Sequence, residues 1–362
     1  MTQPVRIAVA GVGLIGQAHI KRIVEEPEAE LAFIVDPSPN ANEQAARLGV
    51  PIYADLDEAF RSETPDGVVI ATPNHLHVAN GLSAVRARVP MLLEKPVAID
   101  VESAMELVNA AETAGVPILV GHHRRHSPLL QRAKAIVASG RLGKITAVSG
   151  MCLLLKPASY FEGRNAWRRE AGGGVVLINL IHVIDDLRNI CGDIVAVQAA
   201  ESNAARGFPV EDTAAMILNF ASGALGTLTI SDSANGPWSW ELTSGENKAY
   251  PHTDQFCYLI SGTDGSITIP RLDVWRHEGD GWWTPMKTER NIALEQDPLT
   301  LQMRHFCAVI RGEAKPEIDG RGGARTLETT LAVKKAAAEG AIVKLSEGPD
   351  NESGRSDRSF SD

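Results

Sequence analysis

Two chain-distant residues could handle a proton. Lys95 follows the apolar run Met91-Leu92-Leu93, in Glu94-Lys95-Pro96. A lysine at a strand's carboxyl end can hydrogen-bond a substrate hydroxyl and stabilise the alkoxide that forms as a hydride leaves. Pro96 would stiffen the turn that aims it, although lysine before proline also fits a plain surface turn. His182 lies in the apolar stretch Ile178-Asn179-Leu180-Ile181-His182-Val183-Ile184-Asp185-Asp186. An imidazole titrates near neutral pH and could take the hydroxyl proton of an alcohol. Asn179 sits three residues before it on the same helical face, and Asp186, four after, could orient the ring. A satisfied core histidine is the alternative.

A hydride needs an acceptor, and the first strand supplies a place for one. Arg6 to Ala10 runs into Gly11-Val12-Gly13-Leu14-Ile15-Gly16, and a helix-compatible segment follows from Gln17 to Glu25. Gly11 allows the tight turn, Gly13 lets backbone N–H groups reach a pyrophosphate, and Gly16 lets the helix lie close on the sheet. The positive end of that helix then faces the phosphates. A second run, Leu31 to Val35, ends in Asp36-Pro37. Asp36 lies about 20 residues past Gly16, where a carboxylate can bind the ribose 2′-OH and would repel a 2′-phosphate. NAD is therefore expected rather than NADP.

Other polar clusters are more ambiguous. Thr72-Pro73-Asn74-His75-Leu76-His77 follows a strand, where a cofactor contact and a plain turn are equally open. In Gly121-His122-His123-Arg124-Arg125-His126 the interleaved arginines would repel a cation, so no metal is expected and a polar hinge facing a ligand cleft reads better. Lys156, Tyr160, Trp167 and Arg168 share a loop whose basic, aromatic and hydroxyl groups suit a polyhydroxylated or anionic ligand, or else an ordinary surface loop. Trp238, Trp240, Trp282 and Trp283 could form a substrate lid or an oligomer contact.

These segments need elements to hold them. The first third alternates short apolar strands with helical segments, closing with the helix Val101 to Ala114 and the strand Ile118 to Val120. Such alternation builds a parallel, doubly wound sheet whose ligand lies beyond the strands' carboxyl ends. After Gly121 a helix, Leu129 to Ala138, is followed by strand-like runs and one long helix from Val175 to Cys191, bounded by Gly172-Gly173-Gly174 and Gly192. The fold class is thus an α/β Rossmann domain plus an α+β C-terminal domain with an open, largely antiparallel sheet. The division places an NAD-binding domain over 1–122, a substrate and oligomerisation domain over 123–346, and a polar, mobile tail over 347–362.

The 362 residues suffice for two cores, and a formal charge of −10 disfavours nucleic acid or an anionic membrane. Cys152, Cys191, Cys257 and Cys307 form no CxxC pair, which fits reduced thiols in a cytoplasmic protein. Residues 1–5 lead straight into the first strand, so no signal peptide is expected, and no apolar run would span a bilayer.

Together the glycine loop, Ala71-Thr72-Pro73-Asn74-His75-Leu76-His77, Glu94-Lys95-Pro96, Gly121 to Pro128, the triple glycine and His182 with Asp185 resemble the glucose–fructose oxidoreductase / inositol dehydrogenase / rhizopine-catabolism (Gfo/Idh/MocA) family over nearly the whole chain. The resemblance implies catalytic roles for Lys95 and His182. It implies cofactor contacts at Gly11, Gly13, Leu14, Ile15, Gly16, Asp36, Pro37, Thr72, Pro73, Asn74, His77, Glu94, Lys95 and Pro96. It places His123 and Arg124 at the substrate, and it implies a homodimer or homotetramer. One departure stands out. Many members carry an aspartate four residues before the histidine; here that position is Ile178, with Asn179 one place on.

The expected function is NAD-dependent hydride transfer from a secondary alcohol of a sugar, cyclitol or related polyol. Lys95 and His182 would manage the proton, and His123, Arg124, Lys156, Tyr160, Trp167, Arg168 and Asn179 would surround the substrate. The alternatives are a redox-neutral, NAD-retaining glycosidase-type enzyme, a dihydrodiol dehydrogenase, or a non-catalytic NAD or metabolite sensor.

Overall fold

A computed structural model describes residues 3–346, so the tail assigned to 347–362 lies outside the described residues. The described residues form two compact units, one of residues 3–131 with Ala293–Glu328, the other of Arg132–Ile292 with residues 329–346.

The first unit begins with β1 (Val5–Ala10), α1 (Leu14–Glu25), β2 (Ala29–Val35), α2 (Pro39–Leu48), β3 (Ile52–Tyr53) and α3 (Leu56–Ser62). It continues with β4 (Gly67–Ile70), α4 (His77–Ala87), β5 (Met91–Leu93), α5 (Val101–Ala114) and β6 (Ile118–Val120). The six strands lie parallel in the order β3-β2-β1-β4-β5-β6. Strands covered on both faces read as unbroken apolar runs, and β4, β5 and β6 are buried throughout. Helix starts follow local chemistry. Asp55 accepts from the Glu58 amide at 2.7 Å, and Asp100 from the Ser103 amide at 2.8 Å.

The second unit opens with α6 (Pro128–Ala138), which begins just before the division, and β7 (Ile145–Leu153). A π-helical turn over Val176–Leu180 then leads into α7 (Ile181–Cys191). Next come β8 (Ile194–Ser202), β9 (Thr213–Phe220), β10 (Leu225–Ser231) and the short α8 (Trp240–Thr243). The strands β11 (Tyr258–Gly262), β12 (Ser266–Ile269), β13 (Asp273–His277) and β14 (Met286–Arg290) complete this stretch. After α9 (Pro298–Ile310) and α10 (Gly320–Glu339), β15 (Val343–Lys344) closes a nine-stranded sheet. All its neighbours are antiparallel except β7 and β10. Alternating burial along β9 and β10 leaves one face open, with Ile217 and Leu225 exposed.

Two features depart from the sequence reading. The single helix expected from Val175 begins with a π turn, whose extra residue an assumed 3.6-residue period does not reveal. And α9, placed by sequence beyond the division at 122, packs into the first unit: Met303, Phe306 and Cys307 join the core of Ile7, Val9 and Ile34. Ion pairs Arg304–Glu26 at 2.7 Å and Arg22–Asp297 at 2.9 Å fasten it there. No helix among the described residues is long and apolar enough to cross a membrane.

Candidate active site

The carboxyl ends of β1, β2, β4, β5 and β6 carry the loops that sequence singled out in the first unit. Gly11 adopts φ +88°, and a Cβ there would meet the Ala71 carbonyl oxygen at 2.6 Å. A Cβ on Gly16 would strike the Gly11 carbonyl. At Gly13, by contrast, a Cβ would meet nothing within 4 Å. Gly13 is the N-cap of α1 and makes no side-chain cap, and the first turn holds no acid. Leu14 beside it is exposed. Open room, uncapped amides and an uncovered apolar side chain are what a dinucleotide pyrophosphate would fill. Asp36 ties the neighbouring loop: its carboxylate accepts from the Val12 amide at 2.9 Å and the Ser38 amide at 2.8 Å. It remains half-buried, with lone pairs left for ribose hydroxyls.

The loop after β4 is held to the loop after β5 through His77. Its Nδ1 faces the Pro96 carbonyl at 2.7 Å and its Nε2 the Thr72 carbonyl at 2.9 Å. Burial lowers its pKa despite the two carbonyls, which favour the charged ring. Set between two carbonyls, to one of which the neutral ring donates, His77 braces Thr72 and Pro96 rather than offering a polar atom of its own. Asn80, which no sequence signal marked, donates to the Thr72 hydroxyl at 3.0 Å.

Glu94 is buried at the end of β5 and contacts His19 of α1 at 2.8 Å. Its second oxygen accepts from the Lys95 amide at 3.2 Å. Burial would raise its pKa, but the His19 hydrogen bond and the nearby Lys95 charge hold it below the usual range. The turn that presents Lys95 is therefore braced from inside, before a cis Lys95–Pro96 peptide. Beyond β6, His123 and Arg124 open a short 3-10 helix. His123 keeps part of its surface open yet is crowded by protein; burial and then the Arg124 charge push its pKa down to about 4.

The second unit assembles the remaining candidates by itself. Lys156 follows β7 and is buried; its Nζ donates to Asn179 Oδ1 at 2.5 Å. Asp232, just past β10, lies 3.7 Å from that ammonium and accepts from Arg206 Nε at 2.7 Å. Burial lowers the Lys156 pKa to about 8 and raises that of Asp232. The Tyr160 ring is approached by Lys156 Nζ at 4.6 Å and by the Arg168 guanidinium at 3.9 Å. Trp167 beside them is exposed. Along the π turn and α7, Asn179 and His182 are half-buried while Leu180, Ile181, Val183 and Ile184 are buried, so both polar side chains keep part of their surface open.

The start of this helix is held from two strands away. Glu211 accepts from the Val176 amide at 2.9 Å and pairs with Lys334 at 2.5 Å. Asp186, suggested above as a partner for the His182 ring, accepts from the Tyr258 hydroxyl at 2.9 Å. Sequence reasoning missed His19, Arg206, Glu211, Asp232 and Tyr258. Each stands outside any motif, and the partner named for it above is 26 or more positions away along the chain.

Residues 5–122 match the Gfo/Idh/MocA oxidoreductase family with its NAD-binding Rossmann fold, and residues 130–268 match the family's C-terminal domain. The chain is 31% identical to 1,5-anhydro-D-fructose reductase of Ensifer adhaerens over 81% of its own length and 84% of the relative's. It is 32% identical to an inositol 2-dehydrogenase of an Arthrobacter species, over 64% of this chain and 68% of that one. The WlbA dehydrogenase of Bordetella pertussis, solved with NADH and UDP-GlcNAcA, superimposes with a TM-score of 0.79 at 25% identity, covering 96% of this chain and 100% of that one. The chain therefore belongs to the Gfo/Idh/MocA family of oxidoreductases, and its first unit is an NAD-binding Rossmann domain.

Proposed function

We propose that the protein oxidises a secondary alcohol of a sugar, cyclitol or related polyol, the alcohol losing a hydride to NAD and a proton to the protein. NAD, when bound, supplies the hydride acceptor. Lys95 donates a hydrogen bond to the reacting oxygen and stabilises its developing negative charge. His182 takes the hydroxyl proton and passes it toward solvent through the part of its surface that stays open. His123, Arg124, Lys156, Tyr160, Trp167, Arg168 and Asn179 bind and orient the substrate. The observation that carries this reading is Lys95 at the carboxyl edge of the NAD-binding sheet, its turn braced by the buried Glu94–His19 contact. The relatives named above, a reductase and a dehydrogenase of polyhydroxylated rings, support the substrate class.

The test is NADH formation across a panel of sugars, cyclitols and polyols, with Lys95→Met and His182→Ala each expected to lower kcat by at least about 100-fold. A wild-type protein that binds NAD but reduces none of it with any polyol would refute the proposal. We further propose a homodimer or homotetramer through the open sheet face. Light scattering should report a smaller species for Ile217→Lys, which puts a charge on that face; an unchanged mass would remove this face from the interface.

A further inference from the structure

The second unit's polar cluster has a hydrogen-bond polarity. An ammonium has three donors and no acceptor. Lys156 is buried, yet among the described residues only Asn179 Oδ1, at 2.5 Å, lies within hydrogen-bonding distance of Nζ. Asp232 Oδ2 stands off at 3.7 Å, and the other carboxylate oxygen is taken by Arg206. The Tyr160 ring face, at 4.6 Å, offers attraction but no lone pair. A buried ammonium with one close acceptor is under-satisfied.

The same contact fixes Asn179. Because an ammonium cannot accept, the atom facing it is the amide oxygen, so the amide NH₂ points away from Lys156. Asn179 makes no other side-chain hydrogen bond among the described residues, and it is half-buried, as is His182. Arg168, over the Tyr160 ring, adds a further donor with no acceptor function.

We propose that Lys156 and Asn179 form a donor-only subsite that selects substrates carrying an oxygen that accepts but cannot donate: a carboxylate, a carbonyl or a bridging ether oxygen. A hydroxyl placed between the Lys156 ammonium and the Asn179 amide NH₂ would accept from one donor and turn its own O–H toward the other, the nearest carboxylate oxygen, Asp232 Oδ2, lying on the buried side 3.7 Å from Nζ. Sites that leave a polar group unpaired discriminate strongly against the mismatched analogue. The inference rests on the dehydrogenase reading and specifies its substrate further.

The experiment uses ligand pairs that differ in this group, measured by calorimetry on the NAD-loaded protein: gluconate against glucitol, and 1,5-anhydroglucitol, whose C1 and C5 share a bridging oxygen, against open-chain glucitol. Wild type is expected to bind the acceptor-only member of at least one pair 10-fold or more tighter, and which pair responds distinguishes carboxylate from ether oxygen. Asn179→Asp keeps the shape but turns an acceptor outward; it should erase or reverse the preference while leaving NAD affinity unchanged. Lys156→Met should abolish it. Where Lys156→Met fails to fold, Asn179→Asp alone decides. Equal or inverted preference in wild type, or a ranking unmoved by Asn179→Asp, would overturn the inference. NADH formation from hydroxyl-only polyols with no such preference would sustain the dehydrogenase reading and overturn this one. Acceptor-selective binding without NADH formation would do the reverse.

Discussion

Replacing each of the three loop glycines by alanine should separate folding from cofactor binding, because each meets different surroundings. Gly11 has φ +88°, where an L-residue costs about 1–2 kcal/mol. Its new Cβ would also press on the Ala71 carbonyl at 2.6 Å, so a total loss of about 2–4 kcal/mol is expected. Gly16→Ala should lose a similar amount, because its Cβ would strike the Gly11 backbone, which cannot swing aside as a side-chain tip can. Gly13 is different. Its φ of −63° suits any residue, and its Cβ would enter open space. Gly13→Ala should therefore stay within about 1 kcal/mol of wild type, allowing for alanine being a poorer N-cap. Yet that open space is where the pyrophosphate must approach the α1 amides. Loss of one charge-assisted hydrogen bond there is worth about 1.5–3 kcal/mol, or roughly 10- to 100-fold in NAD affinity. Urea unfolding and fluorescence titration with NAD measure both quantities without any substrate. A Gly13→Ala protein that folds normally and binds NAD as tightly as wild type would refute the placement of the cofactor.

Further outcomes follow from the same geometry. Asp36→Ala should narrow the preference for NAD over NADP by about 10-fold or more as the repelling charge goes, whereas wild type using both equally would refute the role given to Asp36. Asp36→Asn should widen NADP use too but lose less stability, keeping one acceptor for the Val12 or Ser38 amide. Glu211→Gln breaks the pair with Lys334 and weakens the hold on Val176; a loss of about 2–4 kcal/mol with lowered kcat is expected, and unchanged unfolding in urea would show that the helix start does not need it. Burial holds Lys156 at about 8, against the usual 10.5, with Asp232, Cys152 and Glu241 pulling upward and Arg168 downward. Its folded value is depressed, so between about 8 and 10.5 the unfolded chain holds the proton more tightly and this group's contribution to stability rises with pH. Affinity for an acceptor ligand should instead be flat below about pH 8 and fall about tenfold per unit above it; a flat profile to pH 10 would show that the ammonium takes no part.

Much of this was legible in the chain itself, for reasons of short range. The glycine loop, Asp36 and Glu94-Lys95-Pro96 could be read because turn geometry, anion binding and strand ends are encoded within a few residues. The alternation of strand and helix followed from apolar runs that need no distant information. Edge strand β14 escaped notice because every residue in it is exposed and no burial pattern marks it. The packing of α9 into the first unit also escaped, since its apolar face says only that it is buried, and not against which core.

Sequence determined the residue types available for the chemistry: a lysine at a strand end, a histidine on an apolar helix, and an asparagine three residues before that histidine. Tertiary structure decided their states. It set His77 between two carbonyls, put His19 against Glu94, and buried Lys156 on Asn179 with Asp232 just out of hydrogen-bonding reach. Burial and hydrogen-bond partners are set by segments far apart in the chain, and a side chain's charge and the atom it presents depend on both.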